Sequence, residues 1–347
     1  MKKLLLNIFL GLATILALSA GAQAQETQIS GFVDMSYFSN NNDDTSTAAV
    51  EDTNTFGMDQ AELDITHTVN EKASLRFDIE SSSDTSLSIE QGYILVNAGA
   101  ATLTFGKFNA PIGWELLDAP DMYQYSHSMV FDNGLPTNLT GVMVSGGSGI
   151  FDISVYFVNG WDKNGDDNKE RTIGTRVGLT TSEALNIGLS YISGKEGPED
   201  DPATGAIEKP LGLTVTDIDL TYTPTEQFTL GAEYNMGTHK ESSTVTAGDD
   251  ATWNGYLVTA HYNFNDTWGL TLRYDAFNDE DGERLGGGVG KEKRNALTIA
   301  PTFSIAEGLG GLIEFKTTKS DKKPYTDSSG NATDSETTLA AELTFSF

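Results

Sequence analysis

Sixteen stretches of this chain alternate apolar and polar residues with a period of two, and few features restrict a fold more. Ile29, Gly31, Val33, Met35 and Tyr37 alternate with Gln28, Ser30, Asp34 and Ser36. Ala61, Leu63 and Ile65 alternate with Glu62, Asp64 and Thr66, and Leu75, Phe77 and Ile79 alternate with Ser74, Arg76, Asp78 and Glu80. The rhythm returns at 87–96, 101–107, 139–145, 150–158, 171–180, 185–193, 213–222, 227–236, 253–264, 268–277, 294–303, 309–317 and 336–347. Alternation at 180° per residue makes strands with one apolar and one polar face. About ten residues per segment is the length a tilted strand needs to cross a bilayer.

The connections between segments alternate between short and long. Short ones include Asn70-Glu71-Lys72, Asn97 to Ala100, Gly146 to Gly149, Thr181 to Ala184, Thr223 to Glu226, Asn265 to Thr267 and Ser304 to Gly308. Long ones include 39–57, 108–138, 194–212, 237–252, 278–293 and 318–335, rich in Asp, Asn, Gly, Ser and Thr. Eight longer loops on one side and seven tight turns on the other predict an all-β fold. The expected architecture is a transmembrane antiparallel β-barrel of about 16 strands, with long extracellular loops and short periplasmic turns. Aromatics near the ends of the apolar stripes, among them Phe105, Tyr191, Tyr222, Phe264, Trp268 and Tyr274, fit interfacial girdles. A soluble barrel or sandwich would explain the alternation, but not the loop asymmetry and the polar opposite face together.

The N-terminus reads as an address. Lys2 and Lys3 precede an apolar run from Leu4 to Leu18, and Ala22-Gln23-Ala24 forms a small-residue cleavage site. Residues 1–24 are therefore expected to be a signal peptide and 25–347 a single barrel domain, exported to the outer membrane. The chain has no Cys, which excludes a disulfide framework, a thiolate nucleophile, a Cys zinc site and lipid attachment at the cut. Fifty acids against 21 bases give a net charge of −29, which argues against nucleic-acid binding. The final Leu343-Thr344-Phe345-Ser346-Phe347 resembles the C-terminal signal read by the outer-membrane barrel assembly machinery.

Three stretches carry a family resemblance: Phe105-Gly106-Lys107-Phe108-Asn109-Ala110-Pro111-Ile112-Gly113-Trp114-Glu115, Asn138-Leu139-Thr140-Gly141-Val142 and Val158-Asn159-Gly160-Trp161-Asp162. They resemble the β-barrel porins of the OmpL-like type. The resemblance implies an outer-membrane diffusion channel for small hydrophilic solutes and names no particular solute.

Parity assigns the lumen wall. The inward acids are Asp34, Glu62, Asp64, Asp78, Glu80, Glu90, Asp152, Asp217, Asp219, Glu233, Asp275, Glu314 and Glu342, against Arg76, Arg176, Arg273 and Lys316. Some pair across strands, but the acid excess predicts mild cation preference. The 108–138 connection is the longest and the least polar, with Pro111, Ile112, Trp114, Leu116, Leu117, Met122, Tyr123 and Tyr125. Long ordered loops tend to be functional, and this one is expected to fold into the lumen. Lys107, Glu115, Asp118, Asp121 and Asp132 would then line a constriction, with the four acids facing the inner bases. Arg76, Asp78, Arg176, Asp219, Glu233, Arg273 and Asp275 are the principal wall candidates. The competing placement is a cap packed outside, on a neighbouring subunit.

No catalytic, cofactor or metal site is assigned. His67, His127, His239 and His261 lie outside any nucleophile–base arrangement, and neighbours such as Ser126 and His127 on an extended chain point apart. The acidic stretch Asp162 to Asn168 departs from a calcium-binding EF-hand at its sixth and twelfth positions, Asp167 and Ile173. Expected partners are outer-membrane lipid and lipopolysaccharide, the assembly machinery and small solutes, with a homotrimer left open. A sugar or peptide channel, with Trp114, Tyr123 and Tyr125 as stacking surfaces, and a plugged structural or adhesive barrel are the alternatives.

Overall fold

Each of the sixteen alternating segments forms one strand of a closed barrel in the computed structural model, which describes residues 25–40, 54–82, 86–198, 209–285, 290–327 and 331–347. The expected signal peptide lies outside the described residues. The first eight strands are β1 (Glu26–Asn40), β2 (Asn54–Asn70), β3 (Ala73–Ser82), β4 (Ser86–Asn97), β5 (Thr102–Asn109), β6 (Asn138–Ser148), β7 (Phe151–Val158) and β8 (Thr172–Ser182). Then follow β9 (Leu185–Glu196), β10 (Leu211–Thr225), β11 (Phe228–His239), β12 (Ala251–Asn263), β13 (Trp268–Asp279), β14 (Glu292–Ala306) and β15 (Leu309–Ser320). Two-residue strands β16 (Tyr325–Thr326) and β17 (Ala332–Thr333) make a hairpin in the last loop, and β18 (Ser335–Ser346) ends the barrel.

Every barrel strand pairs antiparallel with its sequence neighbours, and β1 pairs with β18 to close the ring. At the seam Phe32 sits opposite Ser346, and the Phe347 amide donates to the Gly31 carbonyl at 3.0 Å. Closure leaves no unpaired edge, as a spanning sheet requires. The strands run longer than the alternating cores suggest, so the loops are shorter. The β3–β4 connection is only 83–85, no longer than a turn, which corrects the expectation of eight long loops.

The alternation holds along the walls. On β10, Asp217 and Asp219 are buried inside while Ile218 faces outward and is exposed. The outward face carries Ile153, Val155, Leu189, Val258, Leu272 and Leu297, all exposed aliphatics suited to lipid. Outward aromatics pack together near the turn side: Tyr262 with Phe264, Trp268 with Phe303, and Phe345 with Phe347. A second group, Tyr256 with Tyr274, lies farther along the strands.

The inner face differs from expectation, because it is not polar throughout. Leu139, Tyr156, Val158, Ile192, Leu213, Val215, Trp253 and Phe277 form a buried apolar cluster with Phe108, Ile112, Met129 and Leu135 from the β5–β6 connection and its flank. These wall positions lie toward the loop ends of their strands. Apolar loop residues seated inside the barrel require apolar wall partners there, since both are then removed from water.

Candidate functional site

The β5–β6 connection runs through the interior. A 3-10 turn at Ala119–Asp121 is followed by a short helix, α1 (Met129–Gly134), whose N-cap Ser128 accepts from the Phe131 amide at 3.2 Å. Helix α1 packs against β11, β12 and β13. The Trp114 amide donates to Glu233 Oε2 at 2.7 Å, and its indole Nε1 donates to Thr221 Oγ1 at 3.1 Å. The Ser126 amide donates to Glu314 Oε2 at 3.1 Å, and the Met129 amide to Asp275 Oδ2 at 3.0 Å. Thr271 Oγ1 donates to the Tyr123 carbonyl at 2.7 Å, while the Tyr125 hydroxyl reaches Ser36 on β1 and Asp59 on β2. One segment thus bonds to inward side chains from β1 and β2 to β15.

Arg273 is the principal anchor. Its side chain is fully buried, 2.7 Å from Glu115 Oε1 and 3.3 Å from Asp275 Oδ1. It also donates to the Ser126 carbonyl and hydroxyl, at 2.5 and 3.0 Å, and to the His127 carbonyl at 3.2 Å. Glu115 completes its own shell by accepting from Gln124 Nε2 and the Ser128 amide. A charge taken out of water needs such partners: both Arg273 Nη atoms have them, while Nε faces Asp275 Oδ1 as an ion pair without a hydrogen bond.

The other candidate residues divide into groups. Arg176 on β8 reaches across β9 to Asp219 on β10 in a two-pronged ion pair, with Nη2–Oδ1 at 2.8 Å. A Cβ on Gly188 of β9 would overlap both partners, so glycine there makes the crossing geometrically open. Arg76 pairs with Asp78 at 2.8 Å and lies 3.4 Å from Asp64. Lys107 donates to the Ile89 carbonyl at 2.8 Å. Of the four loop acids expected to face bases, Glu115 alone makes a direct ion pair with a wall base among the described contacts. Asp121 and Asp132 are exposed, and Asp118 faces other acids instead. Burial, reinforced by the carboxylates of Glu90, Asp121 and Asp64 and opposed by Arg76, pushes Asp118 up to about 7.

Sequence parity placed Glu62 and Glu90 on the wall but did not bring them to Asp118, because that meeting depends on the path of the loop. The register adds a second inward side chain beside Glu90. The β3–β4 ladder shifts between Phe77 and Ile79, so Glu90 and Gln91 both stand opposite Asp78 and both are buried inside. A bulge of this kind re-aims a side chain that strict alternation would send outward. Gln91 then bridges Asp78 and the Asn109 amide at the start of the loop, at 2.7 and 3.0 Å.

Aromatic stacking follows the loop: Trp114 on Tyr123 with ring centres 6.4 Å apart, and Tyr123 on His261 at 4.4 Å. Trp114, Tyr123, Arg176, Asn186, Asp219, Thr221 and Thr229 line a cavity of about 340 Å³. The Trp114 indole lies over Gly231 of β11, where any Cβ would overlap the ring. Gly231→Val is therefore expected to displace the indole and destabilise the barrel by about 1–3 kcal/mol, the usual range for overpacking. The check is tryptophan emission: a red shift in the single variant that vanishes when Trp114→Phe is also present. The histidines have ordinary partners: His127 Nε2 meets the Leu116 carbonyl at 2.8 Å, and His261 bonds Thr271 and Asn263.

This architecture has solved counterparts. OmpT, an outer membrane protein of Vibrio cholerae, superposes with a TM-score of 0.67 at 12% identity, over 94% of this chain and 99% of that one. An anion-selective porin from Comamonas acidovorans gives 0.66 at 12% identity, covering 93% and 100%. The outer membrane channel DcaP of Acinetobacter baumannii gives 0.64 at 13% identity, covering 95% and 100%. No curated protein matches the chain in a sequence search. At these identities the likeness establishes the fold alone, but the sequence profile of one family matches residues 26–347, nearly the whole chain. The chain belongs to the BBP2 family, described as "Putative beta-barrel porin-2, OmpL-like".

Proposed function

We propose that the protein is an outer-membrane porin whose lumen, narrowed by the 108–138 loop, passes small hydrophilic solutes and ions by passive diffusion with mild preference for cations. The porin family and the barrel support the channel. The observation that carries the finer reading is the set of bonds tying the loop to the inner wall, with Arg273 and Glu115 at its centre. The preference follows from charge. The acids assigned to the inner wall outnumber its bases thirteen to four, and Arg76, Arg176 and Arg273 are each already held by wall or loop carboxylates. Fixed negative charge along a lumen raises the local cation concentration and lowers that of anions. One neighbour is an anion-selective porin on the same fold, so wall charge rather than architecture decides the sign.

The test is single-channel current from the purified protein in a planar bilayer under a KCl gradient. A reversal potential of cation-selective sign is expected. An anion-selective sign would refute the charge argument, and a folded barrel that never conducts would move the reading to a plugged structural role.

A second reading draws on the Trp114–Tyr123 stack beside the Arg176–Asp219 pair, where apolar ring faces and hydrogen-bonding groups meet in one cavity. Such a site suits a sugar or peptide, and flux that saturates at low solute concentration would favour it. Cleavage after Ala24, contacts with lipopolysaccharide and assembly by the barrel machinery belong to the same proposal. So does a homotrimer, the form in which one OmpT structure of Vibrio cholerae is described.

A further inference from the structure

We propose that Glu62, Glu90 and Asp118 form a binding site for one hard divalent cation, with Ca2+ the best fit, joining the β5–β6 loop to the β2–β4 wall. The three carboxylates come from three separate pieces of chain: β2, the bulge of β4, and the residue preceding the 3-10 turn. Their ligand oxygens all lie within 4.8 Å of one another. Repulsion should separate three such groups unless a proton or a cation sits between them.

The second observation is Glu90 itself. It is only 3% exposed, it points into the cluster, and neither of its carboxylate oxygens has a hydrogen-bond partner. Glu62 Oε2 and Asp118 Oδ1 are buried and unpartnered in the same way. The nearby bases are committed elsewhere: Arg76 to Asp78 and Asp64, Lys107 to the Ile89 carbonyl. Gln91 satisfies Asp78 and not Glu90. The cluster therefore has an acceptor surplus that the protein's own donors leave unfilled.

The donor set selects the ion class. Carboxylate oxygens alone suit hard cations, and N or S ligands are absent from the cluster. Mg2+ demands a near-ideal octahedron and gives up its water reluctantly, whereas Ca2+ accepts irregular shells of carboxylate oxygens. Carboxylates brought together from three separate pieces of chain therefore favour the larger ion, and lumen water would complete its shell. Bound there, the ion ties the loop to the β2–β4 wall, across the barrel from the Arg273 anchor on β13. The site does not depend on the ion preference of the channel, so a wrong reversal potential would leave it standing.

The experiment is equilibrium dialysis of the full-length protein, extracted from membranes and stripped with chelator, against radiolabelled Ca2+ at physiological ionic strength. One saturable ion per barrel is expected above the weak background of the acidic loops. Glu90→Gln and Asp118→Asn should each weaken that site by about ten-fold or more, because affinity follows ligand charge. Asp266→Asn, in a turn on the opposite side, should leave it unchanged. Heat-modifiable migration on gels confirms that each variant is folded, and Asp118→Asn tests the site without altering a strand. Absence of a saturable site in the wild type overturns the proposal and leaves shared protons as the cluster's neutralising charge. Unchanged binding in folded Glu90→Gln overturns it too, by placing the ion elsewhere.

Discussion

Removal of residues 114–126 is expected to raise single-channel conductance by about two-fold or more, since the narrowest section of a water-filled pore dominates its resistance. The segment carries Trp114, Tyr123 and Tyr125 between walls that are otherwise joined only through the ring of strands. Its loss vacates the interior beside β10–β13 and beside β1 and β2 at once. The wall groups it now satisfies, Glu233, Glu314 and Arg273, would regain water in the opened lumen, which limits the cost of their lost partners. The barrel ladders involve none of the deleted residues, so folding should survive and is checked by heat-modifiable migration. Ion preference should persist, because most of the acid surplus sits on strands. An unchanged conductance in a folded deletion variant would place the segment off the permeation route and end the constriction reading.

Much of the barrel is legible in the sequence because a two-residue period is a local property. Each strand needs one polar and one apolar face, and Ile218 flanked by Asp217 and Asp219 reports both without knowledge of any neighbour. Parity assigns Arg176 and Asp219 to the wall without pairing them, because their ion pair across an intervening strand depends on Gly188 and on register. The apolar inner cluster was hidden for a related reason. Leu213 and Val215 share the inward parity of Asp217, but parity cannot say what an inward residue meets. Only the path of the loop tells that Ile112 and Met129 join them in one buried cluster. Glu90 is assigned to the wall, but the bulge, which breaks the alternation at one residue, sends Gln91 inside beside it. The loop's low polarity predicts an inward path, and its bonds reach inward wall side chains, but Asp118 faces carboxylates where bases were expected, because Arg76 is already held by Asp78.

Arg273→Ala is expected to be the most damaging single substitution in the interior, at about 3–5 kcal/mol, the usual cost of removing one partner from a buried ion pair. Glu115 and Asp275 would keep their buried charges with the compensating guanidinium gone, and Ser126 and His127 would lose donors to their carbonyls. The loss acts on the loop more than on the ladder, since Arg273 projects from a strand whose backbone pairing with β12 and β14 is complete around it. Two readouts separate these levels. Denaturant unfolding in micelles measures the total cost, and limited proteolysis under native conditions reports whether 114–129 has come away from the wall. The double variant Arg273→Met with Glu115→Gln should recover part of the loss, because it removes the stranded charge along with its partner. If Arg273→Ala instead unfolds within about 0.5 kcal/mol of the wild type and its loop stays resistant to protease, the guanidinium does not hold the loop. The remaining bonds from Trp114, Tyr123 and Tyr125 would then suffice to seat it, and the anchor would have to be sought in the aromatic stack.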